Sequence, residues 1–230
     1  METLFNGFTL EIAPGTFPLS TDSIALADFV RLPKQANVLD LGSGCGTLGV
    51  LLCAKDVGCS VTGIELDEKA HEMALKNRDA NQLQSRLTSI CGDLTGIADL
   101  VAPGSFGVCV SNPPYFTAGF LSKTTPVARH EECCSLDALM ASAAHALKFG
   151  GDFYLVHKPE RLAEIFSAGC KYKLEPKRLC LLRHKENSPV SLVLVQCRKG
   201  AKPGLVWEEA VLHDQDGHPT AYYQQIYHLQ

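Results

Sequence analysis

The feature that most constrains the fold is a regular alternation between short apolar, β-rich segments and segments with helical periodicity. Strands separated by a helix cannot pair as a hairpin, so they must lie side by side in a parallel sheet with helices packed on its faces. The predicted strands lie at 38–41, 60–65, 87–91, 106–111, 153–157, 177–183 and 191–197. The pattern predicts an α/β fold with a mostly parallel seven-stranded sheet, an antiparallel pair formed by the last two strands at its edge, and helices on both faces.

Length and composition indicate one soluble domain. Hydrophobic residues make up 46% and charged residues 20% of the 230 residues, which excludes a disordered or low-complexity chain. No apolar run approaches the roughly 20 residues of a membrane-spanning helix, and the first residues do not form a signal peptide. We expect a cytoplasmic protein with a single domain over 1–230, divided into an N-terminal cap with a helix (1–35), a core (36–200) and a C-terminal tail (201–230) with a helix at 221–228.

The ten cysteines predict neither a disulfide framework nor a metal site. They lie singly in apolar segments, except for the adjacent Cys133 and Cys134, and no C-x-x-C pair occurs. Zinc sites and thioredoxin-like sites need such paired spacings. We expect reduced thiols that fill the core of a protein without a metal ion.

Opposite charges are concentrated in different parts of the chain. Residues 1–111 contain 7 basic and 13 acidic side chains, whereas residues 157–202 contain 11 basic and 4 acidic ones. A concentration of positive charge is typical of surfaces that bind a polyanion such as nucleic acid. If these side chains do not share a face, they form only an ordinary solvated surface, and both interpretations stay open.

The first predicted strand runs into a glycine-rich turn and then a helix. Glycines in such a turn let the backbone approach a nucleotide-type cofactor closely. The turn contains Gly42, Ser43, Gly44 and Gly46. Residues 44–49, Gly-Cys-Gly-Thr-Leu-Gly, formally satisfy the dinucleotide pattern G-x-G-x-x-G, which suits NAD. Asp40 at the end of the strand would repel a pyrophosphate but attract the cationic amino group of a methionine moiety, which favours S-adenosylmethionine over NAD.

Two further carboxylates follow the ends of the second and third predicted strands. Glu65 closes the second strand, where a carboxylate can accept hydrogen bonds from both ribose hydroxyls of an adenosyl group. Asp93 can accept a hydrogen bond from the adenine amino group, or it can cap its own loop. Because parallel sheets bind ligands at the carboxyl ends of their strands, we predict one cofactor site that also includes the neighbouring Leu66 and Leu94.

The most specific motif follows the fourth predicted strand and consists of Asn112, Pro113, Pro114 and Tyr115. Two prolines make a rigid turn. The Asn112 side chain and the Pro113 carbonyl offer two acceptors for the hydrogens of an NH2 group, which turns the nitrogen lone pair toward a methyl donor. Tyr115 offers a ring on which a planar group stacks. We predict catalysis by positioning, without a strong general base.

On these residues the chain resembles the class I S-adenosylmethionine methyltransferases with an N/D-P-P-Y/F/W motif, which methylate planar nitrogens. Among them it is most similar to the bacterial tRNA adenine-N6 methyltransferase family, whose members modify an anticodon-loop adenosine of a valine tRNA. The similar segments include 17–22, 39–46, 112–115, 128–131 and 199–204. The resemblance implies a Rossmann-like fold, S-adenosylmethionine as cofactor, tRNA as partner and a monomeric enzyme.

Substrate contacts are expected outside the cofactor turn. The long loop 116–134 follows the catalytic turn directly, and loops of this length are usually functional. We interpret it as a lid that grips the substrate, with Arg129 and His130 near phosphate or base. Lys177 and Arg178, in the basic region, are the predicted contacts to RNA.

Three alternatives stay open. A protein glutamine-N5 methyltransferase acting on release factors shares the catalytic turn, but that family carries an extra helical domain before the cofactor fold. A ribosomal RNA guanine-N2 or DNA adenine enzyme is also possible, although the absence of a target-recognition domain disfavours DNA. The third alternative is a cofactor-binding or RNA-binding module without activity.

Overall fold

The computed structural model describes residues 2–15, 19–114 and 135–228, whose main feature is an eight-stranded sheet. The strands are β1 (Glu2–Thr3), β2 (Thr9–Leu10), β3 (Asn37–Leu41), β4 (Ser60–Glu65), β5 (Leu87–Cys91), β6 (Phe106–Ser111), β7 (Leu147–His157), β8 (Leu174–Lys185), β9 (Val190–Lys199) and β10 (Val206–His213). The helices are α1 (Thr21–Phe29), α2 (Thr47–Lys55), α3 (Glu68–Ala80), α4 (Ile97–Leu100), α5 (Leu136–Ala146), α6 (Leu162–Lys171) and α7 (Ala221–Ile226). The strand order is β10-β8-β9-β7-β6-β3-β4-β5, and β1 pairs with β2 separately.

Seven strands of the large sheet run in one direction, and β9 is antiparallel to its neighbours β7 and β8. The predicted mostly parallel α/β fold is therefore confirmed. The predicted strand number and the position of the antiparallel pair are wrong, because β10 pairs in parallel with β8 and forms the edge. β10 lies in the predicted tail, and its first four residues are exposed, so it has no apolar alternation by which to recognise it.

Alternate residues of the central strands face two separate cores, as expected for a sheet with helices on both faces. Val38 and Val110 pack with residues of α1 and α2, whereas Leu39 and Cys109 pack with residues of α5. Of the eight cysteines in the described ranges, six are buried, in agreement with their expected role in the core. Within the same ranges, no helix is both long and apolar enough to cross a membrane.

The sequence also predicts a helix that Ser135 caps, that runs through Leu147 and that Gly150 and Gly151 end before the next strand. Helix α5 begins as predicted and ends one residue earlier, at Ala146. The Ser135 hydroxyl accepts a hydrogen bond from the Ala138 N–H at 3.2 Å, which caps the helix. The prediction that Gly150 and Gly151 separate the helix from the next strand is wrong, because β7 begins immediately at Leu147. The two glycines lie inside this strand, where the register with β6 shifts, and Gly150 has a φ of +79°. They permit a bulge instead of a helix stop.

Helix α1 is held from two directions. The Lys55 ammonium, at the end of α2, donates to the carbonyl oxygens of Ala27, Asp28 and Val30 at 2.7–2.8 Å. At the other end of α1, the hydroxyls of Thr21 and Tyr227 lie 2.8 Å apart, with Tyr227 directly after α7. These contacts hold both ends of α1 in place.

Candidate active site

The glycine turn after β3 leaves space above its backbone. Gly42, Gly44 and Gly46 have φ values of +74°, +55° and +79°, which favour glycine. A Cβ atom at Gly42 or Gly44 would meet no described atom within 4 Å. A Cβ atom at Gly46 would lie 3.2 Å from the Cβ of Ala74, so this glycine lets α2 approach α3. The first two glycines thus leave open space above the turn, and the third serves packing.

Asp40 is the most perturbed carboxyl group at this edge of the sheet. It is only 1% exposed, and neither carboxylate oxygen has a hydrogen-bond partner among the described residues. Burial raises its pKa to about 8, and the negative charge of Glu65 adds to the shift. The buried Ser43 hydroxyl also lacks a partner within the described part of the chain. Buried polar groups without partners are costly, and a cationic ligand group would satisfy Asp40.

Glu65, at the end of β4, supports the glycine turn. One of its carboxylate oxygens accepts from the Gly44 N–H at 2.7 Å, and the other accepts from the Asp67 N–H at 2.8 Å. A carboxylate has about four acceptor positions, so these two bonds leave capacity for ribose hydroxyls. The predicted cofactor role of Glu65 is compatible with this geometry, which adds a structural role that the sequence did not indicate.

Asp93 makes the local contact that the sequence left open as an alternative. Its carboxylate accepts from the Thr95 N–H at 2.8 Å and caps a short 3-10 turn that begins at Leu94. Leu94 is buried, whereas Leu66 beside Glu65 is 41% exposed. Recognition of an adenine by Asp93 stays a prediction that would use its remaining acceptor positions.

The catalytic turn follows β6 and is bound to its surroundings on two sides. The Ser111 hydroxyl donates to the Leu41 carbonyl at 2.7 Å, which joins the ends of β6 and β3. The Asn112 side-chain NH2 donates to the Ser23 hydroxyl at 2.9 Å. Pro113 is buried, and Pro114 is partly buried. The asparagine and the glycine turn are therefore neighbours, as predicted.

Ser23 is a candidate site residue that sequence reasoning missed. It lies on α1 and is 5% exposed. By accepting from the Asn112 NH2 group, the Ser23 hydroxyl holds one end of the Asn112 amide in place. Its position in a Ser-Thr-Asp-Ser run suggested only helix capping. A buried hydroxyl within the otherwise apolar side of α1 was the one available signal.

His157 is a second missed residue, at the end of β7 on the same edge of the sheet. It is 4% exposed, and its Nδ1 atom accepts from the Lys158 N–H at 2.8 Å. Burial lowers its pKa to about 4, so the ring is neutral at physiological pH. The sequence marks it only as the last residue of a predicted strand.

The predicted substrate residues are not all brought to this edge. Tyr115, Arg129 and His130 lie outside the described residues. Lys177 and Arg178 lie on β8, which is three strands away from β6 and so about 14 Å from it. The structure therefore does not bring these two cations to the catalytic turn.

Comparisons with known proteins assign the chain to a methyltransferase family. A family model described as "Methyltransferase small domain" matches residues 19–166. A relative from Photobacterium profundum, the "tRNA1(Val) (adenine(37)-N6)-methyltransferase", is 31% identical over 85% of this chain and 84% of its own length. A relative of the same name from Vibrio parahaemolyticus is 27% identical over 93% of this chain and 89% of its own length.

Solved structures share the fold. A predicted O-methyltransferase from Agrobacterium tumefaciens has a TM-score of 0.75 at 20% identity, covering 90% of this chain and 96% of that one. A methyltransferase from Pyrococcus furiosus has a TM-score of 0.64 at 24% identity, covering 86% and 91%. At these identities the likeness concerns the fold alone.

Proposed function

Because the chain belongs to the methyltransferase small domain family, we propose that it transfers the methyl group of S-adenosylmethionine to the N6 amine of an adenine in tRNA. The observation that carries the proposal is the position of Asn112 beside the glycine turn, joined to β3 through Ser111 and Leu41. A cofactor cradle and a turn suited to an NH2 group thus meet at one edge of the sheet.

The residues present fit S-adenosylmethionine. The unpartnered Asp40 carboxylate suits the ammonium of the methionine moiety, and the open backbone at Gly42 and Gly44 admits a ligand. Glu65 and Asp93 keep acceptor positions for the ribose and the adenine. When bound, the cofactor supplies an electrophilic methyl group on a sulfonium sulfur.

Asn112 and Pro113 orient the acceptor amine. The Ser23 hydroxyl accepts from the Asn112 NH2 group and holds this amide. The Asn112 side-chain oxygen and the Pro113 carbonyl are the two proposed acceptors for the hydrogens of the adenine NH2 group. This directs the nitrogen lone pair toward the methyl group. Such positioning can supply about 7–11 kcal/mol of a reaction barrier. The methylated amine is briefly cationic and acidic, so its proton can leave to water.

The substrate is proposed from the relatives' names. Both relatives described above are named for adenine 37 of tRNA1(Val), and this chain covers more than four fifths of each. We assign the same anticodon-loop adenine here, with the reaction in the cytoplasm and a monomeric enzyme without a metal ion. A base in a loop is partly unstacked, so its extrusion into the site costs less than flipping from a duplex.

Methyl transfer to two acceptors tests the proposal. The protein is incubated with methyl-labelled S-adenosylmethionine and either unmodified tRNA or a release factor, and mass spectrometry locates the label. N6-methyladenosine in tRNA is expected with the parent protein and with Asn37→Ala, a matched change at an exposed position. Asn112→Ala should produce none while binding the cofactor normally. Label on a release-factor glutamine, or on neither acceptor, would contradict the tRNA assignment.

A further inference from the structure

A cavity of about 520 Å³ lies away from the catalytic turn. It is lined by Val108 of β6, by residues of the first half of β7 that include Asp152, and by Arg31 after α1. Val108 precedes Asn112 by four residues, which is about 13 Å along a strand. The volume of the cavity suits a ligand of nucleotide size.

The cavity wall is strongly cationic. It contains one carboxylate, from Asp152, against five basic side chains. The basic side chains belong to Arg31, Lys148, Lys177, Arg178 and Arg198. Two of these residues lie outside the basic region 157–202, so the fold adds positive charge that the linear sequence does not group.

Three of the basic side chains already have partners. Arg198 binds Asp152 through two hydrogen bonds of 2.8 and 3.0 Å. Arg178 pairs with Glu208 at 3.1 Å and lies over the Phe29 ring, 4.3 Å from its centre. The Lys177 ammonium donates to a backbone carbonyl at 3.0 Å. These contacts hold the wall of the cavity in place.

Arg31 and Lys148 are different, because both are exposed and neither side chain has a hydrogen bond or ion pair within the described part of the chain. The Arg31 backbone is fixed, since its carbonyl accepts from the Tyr154 hydroxyl at 3.5 Å. Gln196 also lines the cavity, is 4% exposed, and its side-chain carbonyl oxygen has no donor among the described residues. The cavity thus offers two available cations and one buried acceptor.

We propose that this cavity binds a ribose phosphate unit, with its phosphate held by Arg31 and Lys148 and a ribose hydroxyl donating to Gln196. Cations match the phosphate oxygens, which accept hydrogen bonds only. The Gln196 oxygen needs a donor, and a ribose hydroxyl next to a phosphate is one. The unit can belong to an RNA backbone or to a free ribonucleotide. The proposal does not depend on methyl transfer.

The first test uses small probes and the full chain. Isothermal titration calorimetry compares ribose 5-phosphate with 2-deoxyribose 5-phosphate, neither of which carries an adenine for the cofactor site. The double variant Arg31→Ala/Lys148→Ala should raise the Kd for ribose 5-phosphate at least about tenfold. Gln196→Met should remove the preference for ribose over deoxyribose. The matched control Lys69→Ala/Lys76→Ala loses two exposed charges from α3 and should bind as the parent does.

The second test measures tRNA binding without cofactor at several salt concentrations. Each phosphate contact contributes about 0.7–0.9 to the slope of log Kd against log salt concentration. Because both cations hold the same phosphate, a slope lower by about 0.7–0.9 in Arg31→Ala/Lys148→Ala, but not in the control, would support the proposal with RNA as the source. If the protein binds ribose 5-phosphate but the double variant leaves the salt dependence of tRNA binding unchanged, the result would support the proposal with a free ribonucleotide as the ligand. No ribose 5-phosphate binding with an unchanged RNA slope, or equal losses in the control, would overturn the proposal.

Discussion

Binding of S-adenosylmethionine should release a proton from Asp40. The free protein holds this carboxyl group in a buried position without partners among the described residues, and its pKa is raised to about 8. A cofactor ammonium beside it favours the ionised form. At pH 7 about nine tenths of Asp40 is protonated in the free protein, so binding should release about 0.9 proton.

The magnitude of the pH dependence follows from the same pKa. If the cofactor binds only the ionised form, the Kd falls nearly tenfold per pH unit well below pH 8 and by about 25-fold between pH 6 and pH 7.5. The range ends at pH 7.5 because the α-amino group of the cofactor loses its own proton, and so its positive charge, at about pH 7.7–8.0. Affinity should therefore be measured below that pH.

Calorimetry at pH 7 in two buffers of different ionisation enthalpy measures the released proton directly, and titrations from pH 6 to 7.5 measure the slope. Asp40→Asn keeps the shape of the side chain but removes its charge, so it should bind more weakly and without pH dependence. Glu68→Gln, a change at an exposed carboxyl on α3, should keep the slope of the parent. A flat profile for the parent, or the parent's slope in Asp40→Asn, would refute this reasoning.

Three further predictions concern stability and turnover. Asp40→Asn should stabilise the cofactor-free protein, because the raised native pKa of Asp40 makes the stability of the parent fall as pH rises from about 4 to 8. The gain in the free energy of unfolding should grow through this range by up to about 1.4 kcal/mol per pH unit. Thermal melts measure this gain, and they would show no such trend if the carboxyl group were solvated. Ser23→Ala should lower kcat about tenfold with an unchanged cofactor Kd, because the Asn112 amide loses its hydrogen bond to the Ser23 hydroxyl; equal activity in single-turnover assays would count against this role. Gly46→Ala should lower the free energy of unfolding by more than about 1 kcal/mol, because of its positive φ and its contact with Ala74, and an unchanged denaturation midpoint would exclude that strain.

The central fold could be predicted because each buried strand carries its own local signal. The apolar segments 87–91 and 106–111 coincide with β5 and β6. β10 carries no such signal, since an edge strand with an exposed start has little apolar pattern. Gly150 was misread for a related reason: a glycine after a helix permits either a stop or a bulge, and strand register decides between them.

The residues of the candidate site also fall into those that the sequence predicts and those that it does not. Asp40 and Asn112 could be predicted, because each directly follows or ends a strand and parallel strands bring their carboxyl ends together. Ser23 could not, because its contact with Asn112 spans 89 residues and depends on how α1 packs. The basic region contributes Lys177, Arg178 and Arg198 to one cavity wall, but each of these side chains already has a partner. Arg178 is largely committed to Phe29 and Glu208, and the available cations come from elsewhere in the chain.

The support of α1 by α7 has a consequence for how the protein is synthesised. Thr21 leaves the ribosome about 200 residues before Tyr227, its hydroxyl partner. At 5–20 residues per second, this interval lasts about 10–40 s. Throughout it the nascent α1 lacks the contact between Thr21 and Tyr227, so the helix that carries Ser23 gains its side-chain contacts with α7 only when synthesis is nearly complete.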